Sequence, residues 1–588
     1  MKTFRIVCGG ILAALVFATT AANAADDVIV VTATRSERAL QDVIVPMTVI
    51  GREQIERSGA ADLAELLRFE AGLDIGRNGG PGQATSVFLR GTESNHTLVL
   101  IDGVRINPGT IGGAAIQNVA PETIERVEIV KGARSALYGT DAIGGVVNII
   151  TRRAGDGYAE AGGGGGSFGT QSAYASTGVS GDGHEFGATV NWQTTDGYAI
   201  RTDSPLERGY DNLSANLYGS MDMGAATVSL RHWRASGKTE YLDFFQAPLS
   251  QDFRNESTSA ELVNPLGDDG QSRLLVSYMV DDIEQNDSPD FVTSERLALD
   301  WQVSATLASH ALSAGLYATR ENADSLSFGS GFDERTDTQA VFLQDSMTWE
   351  RQRAFVAARY TDHESFDGEF TWNAEYALDL TESWSLNAGI GHAFRAPDAT
   401  DRYGFGGNPD LRPEVSDELQ VGTRYDLTDR HTLRLEAYRN DIDDLIEFDA
   451  VDFMLRNLRR AEIRGAQLGW DFRGEVYTVR ADVLVQSAED AVTGASLLRR
   501  PEQSATLNVS RSLGEHALGL SLLAGGERED IGGSLPGYVL LNLTGQFRLG
   551  QHWQLNARIE NALDTDYQTA VPYRMAGRSA YLDLKYRW

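Results

Sequence analysis

Cysteine is almost missing from this chain: Cys8 is the only one in 588 residues. No pair exists to form an internal disulfide, so nothing here is stapled. Basic charge is also short. Lys and Arg number 51 against 83 Asp and Glu, a formal charge of −32. Phosphate needs a basic face, so nucleic acid is excluded as a partner. After residue 24 no run is long and apolar enough for a membrane helix. There is no HExxH pair and no phosphate loop. These absences point away from an enzyme, and the expectation is a protein without catalysis.

What is present begins with an address. Lys2 and Arg5 precede a mostly apolar stretch from Ile6 to Thr20, and Ala22-Asn23-Ala24 offers small residues for cleavage. Residues 1–24 are expected to be a secretory signal peptide, too short in its apolar part to span a bilayer. Cys8 lies inside the apolar run and not after it, which excludes a lipoprotein anchor.

From residue 158 onward the chain repeats a two-residue alternation. Phe186, Ala188, Val190 and Trp192 interleave with Gly187, Thr189 and Asn191. Trp553, Leu555, Ala557 and Ile559 interleave with Gln554, Asn556, Arg558 and Glu560. The last strand sets Leu582, Leu584, Tyr586 and Trp588 on one face and Tyr581, Asp583, Lys585 and Arg587 on the other. Period two sends alternate side chains to opposite faces of a sheet. A soluble sheet with one dry face fits, and so does a membrane barrel that is apolar outside and polar inside. The barrel is favoured because the pattern persists without an intervening helical domain. Many strands also run to about ten residues, enough for a tilted membrane strand. Trp588 closes an alternating strand on an aromatic.

The stretch before the barrel carries a resemblance. Residues 83–151 read GQATSVFLRGTESNHTLVLIDGVRIN and then ERVEIVKGARSALYGTDAIGGVVNIITRR, with strands at Thr97–Ile101, Arg126–Val130 and Gly145–Ile150. This resembles the plug of TonB-dependent outer-membrane receptors, and within that family the cobalamin (vitamin B12) branch. The resemblance implies a transmembrane β-barrel of about 22 antiparallel strands with an N-terminal mixed α/β plug inside it. It divides the chain into residues 1–24 (signal peptide), 25–157 (TonB box and plug) and 158–588 (barrel). It also implies a monomer in the outer membrane of a Gram-negative bacterium. Polar or Gly-rich stretches at 195–213, 236–256, 284–294, 321–336 and 401–415 are the expected outer loops. The run Gly162–Gly166 is expected to let the first strand lie close to the plug.

Several segments then acquire expected roles. Asp27, Val28, Ile29, Val30, Val31, Thr32 and Ala33 resemble the TonB box. Such a β-branched terminal segment can add as an edge strand to the sheet of TonB, the periplasmic energy coupler. Two plug loops are expected to touch the cargo: Asn78, Gln83, Ala84, Thr85 and Ser86, and then Gly112, Gly113 and Ala114. The polar members would hydrogen-bond ligand amides, and the glycines would admit a flat ligand to the backbone. Phe394-Arg395-Ala396-Pro397 and Asn408-Pro409-Asp410-Leu411 through Glu414 resemble a family loop that carries a histidine in haem receptors. Residues 398–407 hold none, which counts against haem. His392 and His96 lie outside that interval. The branch often binds calcium through early outer-loop carboxylates, which would be Asp203, Asp211, Asp243 and Asp252 here. Solvated surface acids are the other reading, and no cofactor is required. The expected cargo is cobalamin, with a ferric siderophore or other metal chelate as the rival and a passive porin-like barrel behind it.

Overall fold

The computed structural model describes residues 29–36, 38–155, 157–327, 329–449 and 451–588. The segment expected to be a leader, with Asp27 and Val28, lies outside the described residues.

The alternation becomes a wall. In His184–Arg201, Phe186, Val190 and Trp192 are 40–51% exposed while Thr189 and Asn191 are buried. Leu582 and Leu584 face out and Lys585 faces in on the last strand, Ser579–Arg587. Twenty-two antiparallel strands close on themselves, as expected. The seam pairs Tyr158–Gly166 with Ser579–Arg587, from Glu160 opposite Arg587 to Gly166 opposite Tyr581. Closure is what hydrocarbon demands, because an open edge would leave backbone donors and acceptors without partners.

The two ends of the barrel differ. One carries tight turns, such as those between Met223 and Ala226 and between Trp349 and Gln352. The other carries the connections 396–413, 491–502, 526–537 and 561–578. Half-exposed aromatics gather at the turn end: Trp349, Trp384, Tyr425, Trp470, Tyr477 and Trp553. Trp384 meets Tyr425, and Trp553 meets Tyr586, edge to face. This is the interfacial girdle of a membrane barrel.

Two expectations are corrected. Most of the anticipated outer loops are strand. Within 195–213 only the turn at 202–203 interrupts His184–Arg201 and Ser204–Met223, and 236–256 turns only at 243–247. Above the bilayer both faces of a strand meet water, so the apolar member of the pair disappears and the stretch reads as loop. The glycine run does not approach the plug. A Cβ at Gly162 would lie 2.5 Å from Tyr174, and one at Gly164 would lie 2.2 Å from an Asp583 oxygen. The glycines clear space for cross-strand neighbours. The Gly165–Gly169 string that follows has the spacing of a nucleophile elbow. It forms a hairpin tip between two strands, not a strand-to-helix turn.

The plug fills the lumen with a five-stranded sheet in the order Met47–Gly51, Ile124–Lys131, Gly145–Thr151, Thr97–Ile101, Val104–Arg105. Only Thr97–Ile101 and Gly145–Thr151 pair in parallel. Helix Leu63–Leu67 starts on Asp62, whose carboxylate accepts the Glu65 N–H at 2.9 Å. Ile50, Leu63, Leu67, Ile101, Val127 and Ile149 form the core, which continues into the barrel through Tyr210, Trp233, Phe253, Leu275 and Met279.

Candidate functional site

The plug loops anticipated from sequence do reach the loop end, but they divide their residues differently. Gln83 is 5% exposed, and its amide Nε2 donates to the Glu240 carbonyl at 2.7 Å. It moors the loop to the wall and is not free for a ligand. The glycines beside it serve the same mooring. A Cβ at Gly82, whose φ is +73°, would lie 2.0 Å from the Tyr210 ring. Thr85 Oγ1 donates to the Gln83 carbonyl at 2.8 Å. Ala84 is left exposed at the tip, with Asn78, Thr85 and Ser86 half-buried around it.

In the second loop Gly112 is buried and Ala114 packs on the core, while Gly113 is half-buried. The exposed residue is Ile111, at 47%. Asn107 holds this loop from below. Its Oδ1 accepts the Val99 N–H at 2.7 Å, and its Nδ2 donates to the Thr97 and Gly112 carbonyls at 3.0 and 2.8 Å.

The stretch from Phe394 to Glu414, which resembles a family loop, proves to be a clasp. Arg395 is 1% exposed and donates to Glu414 at 2.9 Å, Asp398 at 2.9 Å and Asp401 at 2.6 Å. Burial, with Asp401 beside it, pushes the Asp398 carboxyl well above the usual range. Glu414 also accepts the Ile446 N–H at 2.8 Å and faces His96 Nε2 at 3.0 Å. The loop docks on the plug through the Ala399 and Thr400 N–H groups, which donate to the Gly109 and Thr110 carbonyls at 2.8 and 3.0 Å. Arg395 and Glu414 were visible in sequence as motif ends. The pairing of Glu414 with His96, 318 residues away, was not.

His96 is fully buried, and its Nδ1 accepts the Glu93 N–H at 3.3 Å. The ring proton therefore sits on Nε2 and is donated to Glu414. Glu93, His96 and Glu414 lie close enough to suggest a metal site. With both ring nitrogens occupied and Arg395 on the carboxylate, they do not fit one. The same occupancy keeps His96 from haem. His392 pairs with Asp417 at 2.8 Å on the half-exposed side of the wall.

The four carboxylates expected to hold calcium do not converge. Asp203 takes a two-pronged bond from Arg201, both distances 2.8 Å, and the guanidinium holds it below the usual carboxylate range. Asp243 caps its own turn through the Ala247 N–H at 2.7 Å. Asp211 accepts from Thr194 at 2.5 Å and Asp252 from Asn286 at 3.2 Å. Calcium wants six to eight oxygens around one point, and this donor set does not supply them.

Of the segment expected to be a TonB box, the described residues are held against the plug. Ile29–Val30 pairs with Arg38–Ala39 in a small hairpin. Thr32 is fully buried. Glu128 accepts the Val31 and Thr32 N–H groups at 3.0 Å each and the Thr32 hydroxyl at 2.6 Å. Asn148 donates to that hydroxyl at 3.0 Å, and the Tyr138 hydroxyl donates to the Thr32 carbonyl at 2.9 Å. Next to it Arg35 pairs with Asp300 of the wall. A segment held this way cannot pair with another sheet until it is released.

The known proteins agree with this architecture. Residues 39–146 match the TonB-dependent Receptor Plug Domain, and residues 138–562 match the TonB dependent receptor-like β-barrel. A vitamin B12 transporter, BtuB of Photobacterium profundum, is 32% identical over 96% of both chains. The siderophore receptor PirA of Acinetobacter baumannii superposes with a TM-score of 0.80, covering 92% of this chain and 98% of its own at 17% identity. A mutant of the ferric enterobactin receptor PfeA of Pseudomonas aeruginosa reaches 0.81, covering 95% and 100%, also at 17%. At such identities these two structures speak for the fold alone.

Proposed function

Because this chain belongs to the TonB-dependent receptor family, we propose that it carries cobalamin, or a close corrinoid, inward across the outer membrane of a Gram-negative bacterium. The observation that carries the reading is the end-to-end likeness to a vitamin B12 transporter at 32% identity. The work is binding and movement, with no bond of the cargo made or broken. Ala84, Ser86 and Ile111, at the plug tips, and the loop-end rim form the capture face. The cargo's arrival loosens the plug. The box then leaves Glu128 and adds as a strand to a TonB-type partner, which pulls. A box buried on a carboxylate suits a gated device and has no use in a passive pore.

A ferric siderophore or other metal chelate is the second reading. It is favoured by the cargo named for solved neighbours of this shape. Titration of the purified, detergent-solubilised protein separates the two. Saturable binding of cyanocobalamin, with no response to a panel of ferric chelates, is expected. The reverse pattern would replace corrinoid by chelate and leave the transport reading standing.

A further inference from the structure

The lumen is not filled evenly. Two cavities lie between the plug and the wall that runs from Gly270–Gln285 to Trp384–Arg395. The upper one reaches Pro108 and Gly112 of the plug and Asp398 of the clasp. The lower one reaches Val31 of the expected box and Arg35 just after it. They share Arg105, Tyr138, Tyr317 and Arg359. Those four side chains are a waist between the mouth and the latch.

Arg359 is unusual there. It is 2% exposed. Nε donates to Thr361 Oγ1 at 3.0 Å, the guanidinium lies 5.0 Å from the centre of the Tyr317 ring, and Nη1 has no hydrogen-bond partner. Among the described residues, every other buried arginine except Arg528 has a carboxylate within 4.0 Å. A buried cation without a counter-ion is costly, and such sites persist where function uses them. Across the gap Arg105 gives one arm to Asp141, while its Nε has no partner. Both idle donors belong to residues that line the same narrowing.

We propose that the waist is an oxyanion site on the cargo's route through the lumen, made by Arg359 of the wall and Arg105 of the plug. It takes a phosphate-type or carboxylate group. Arginine forks suit such groups because two N–H bonds match two oxygens. The site couples to release through Tyr138. That ring lines the waist, and its hydroxyl holds the Thr32 carbonyl of the box. An anion drawn between the two arginines presses on the side chain that helps keep the box shut. The anion site stands on geometry alone. Only its role in transport rests on the uptake reading, where the group supplied is the corrinoid phosphodiester.

Crystals of the full chain grown without oxyanions and soaked in selenate test the site directly. An anomalous peak within hydrogen-bond reach of Arg359 Nη1 is expected, and Arg359→Gln should remove it. No peak at the waist in the wild type overturns the proposal, as does an equal peak in the variant, which marks an adventitious ion only. In cells, Arg359→Gln should lower cyanocobalamin uptake about tenfold, the worth of one charge-assisted hydrogen bond, with surface binding unchanged. Unchanged uptake overturns the transport role. If the wild type binds no cyanocobalamin but selenate sits on Arg359, the cargo assignment falls and the site stands. Should the glutamine variant fail to assemble, the wild-type soak alone decides.

Discussion

The plug meets two walls of very different character. Against the strands Ser204–Met223 to Gly270–Gln285 it is held by apolar packing. Tyr210, Trp233, Phe253, Leu275 and Met279 belong to the plug's own core cluster. The hydrogen bonds across this wall join neutral groups, such as Asn118 donating to Asn255 at 2.8 Å, and charge enters only at longer range, with Arg153 over the Tyr218 ring and Asp102 facing Arg231. No ion pair among the described residues crosses it. Against the strands Glu414–Thr428 to Tyr477–Asp490 the plug is pinned by charge. Arg90 pairs with Glu418 and Glu436, His96 faces Glu414, and Glu70 pairs with Arg480. Apolar surface loses free energy whenever it parts and water enters. Charged partners recover hydration as they separate, so their net hold is smaller than their attraction. One wall is therefore the fixed side of the plug, and the other is the side that can let go. The two cavities lie on the arc between them, and the lower one borders the apolar wall at Leu275 and Met279.

The largest effect removes the pull on both walls at once. Deleting residues 27–33 should abolish energy-dependent uptake, a loss of more than about a hundredfold in rate (roughly 3 kcal/mol or more), and leave surface binding of cyanocobalamin intact. Retained uptake would mean that the box is not where force enters.

Next comes a direct comparison of the walls. Past Cys8 the chain has no cysteine, so an introduced pair has no competitors. Asn118→Cys with Asn255→Cys ties the plug to the apolar wall. Lys131→Cys with Gln467→Cys, joined by a reducible bis-thiosulfonate linker that spans the length of the two lost side chains, ties it to the charged wall in place of the 2.9 Å contact. The first link should leave uptake within about twofold of the wild type. The second should cut it at least about tenfold and recover with reductant. These fold-changes correspond to differences below and above about 1.4 kcal/mol. Equal inhibition by both links would erase the distinction between the walls.

Lys131 also gives the charged wall a pH signature. Its ammonium is buried, donating to the Ala71 carbonyl at 2.8 Å and to Gln467, and burial lowers its pKa to about 8. Glu436 and Asp482 oppose that shift, and Arg90 and Arg480 add to it. Below pH 8 folded and unfolded plugs both carry the proton, and the cost of burying the charge is fully present. Between about 8 and the ordinary 10.5 the unfolded plug keeps a proton the folded one has shed. Stability therefore rises with pH across that window, by up to about 3 kcal/mol. Urea unfolding of the plug, read from the reactivity of a cysteine placed at buried Val147, should show the rise. Lys131→Met should flatten it.

How much of this was legible depended on the distance over which a residue acts. The barrel was readable because lipid outside and water inside impose period two on every strand, as in Phe186–Trp192. The plug strands were readable as short apolar runs. The outer loops were not, because polar strands that project into water lose the alternation that marks them. Site residues failed for a different reason. Gln83 looks like a ligand donor until Glu240, 157 residues away, is seen to accept from it. Arg359 is one basic residue in a polar alternation, and its lack of a carboxylate appears only once the lumen is assembled. Arg395 and Glu414 were visible as motif ends, but their chemistry needed the plug.

The smallest effect concerns the loop-end acids, far from either wall. Oxygen clusters attract calcium when several lone pairs point at one spot and no internal cation competes. Here Arg201 already occupies both oxygens of Asp203, and Asp243 spends its carboxylate on the Ala247 N–H. A divalent ion would have to displace the guanidinium and gather Asp211 and Asp252 from separate partners. Treatment with a calcium chelator should therefore change cyanocobalamin affinity by less than about twofold, within roughly 0.4 kcal/mol. Calorimetric titration before and after chelation measures it. A tenfold loss restored by calcium would show that the outer turns rearrange around an ion, and that the Arg201 pairing belongs to the ion-free state.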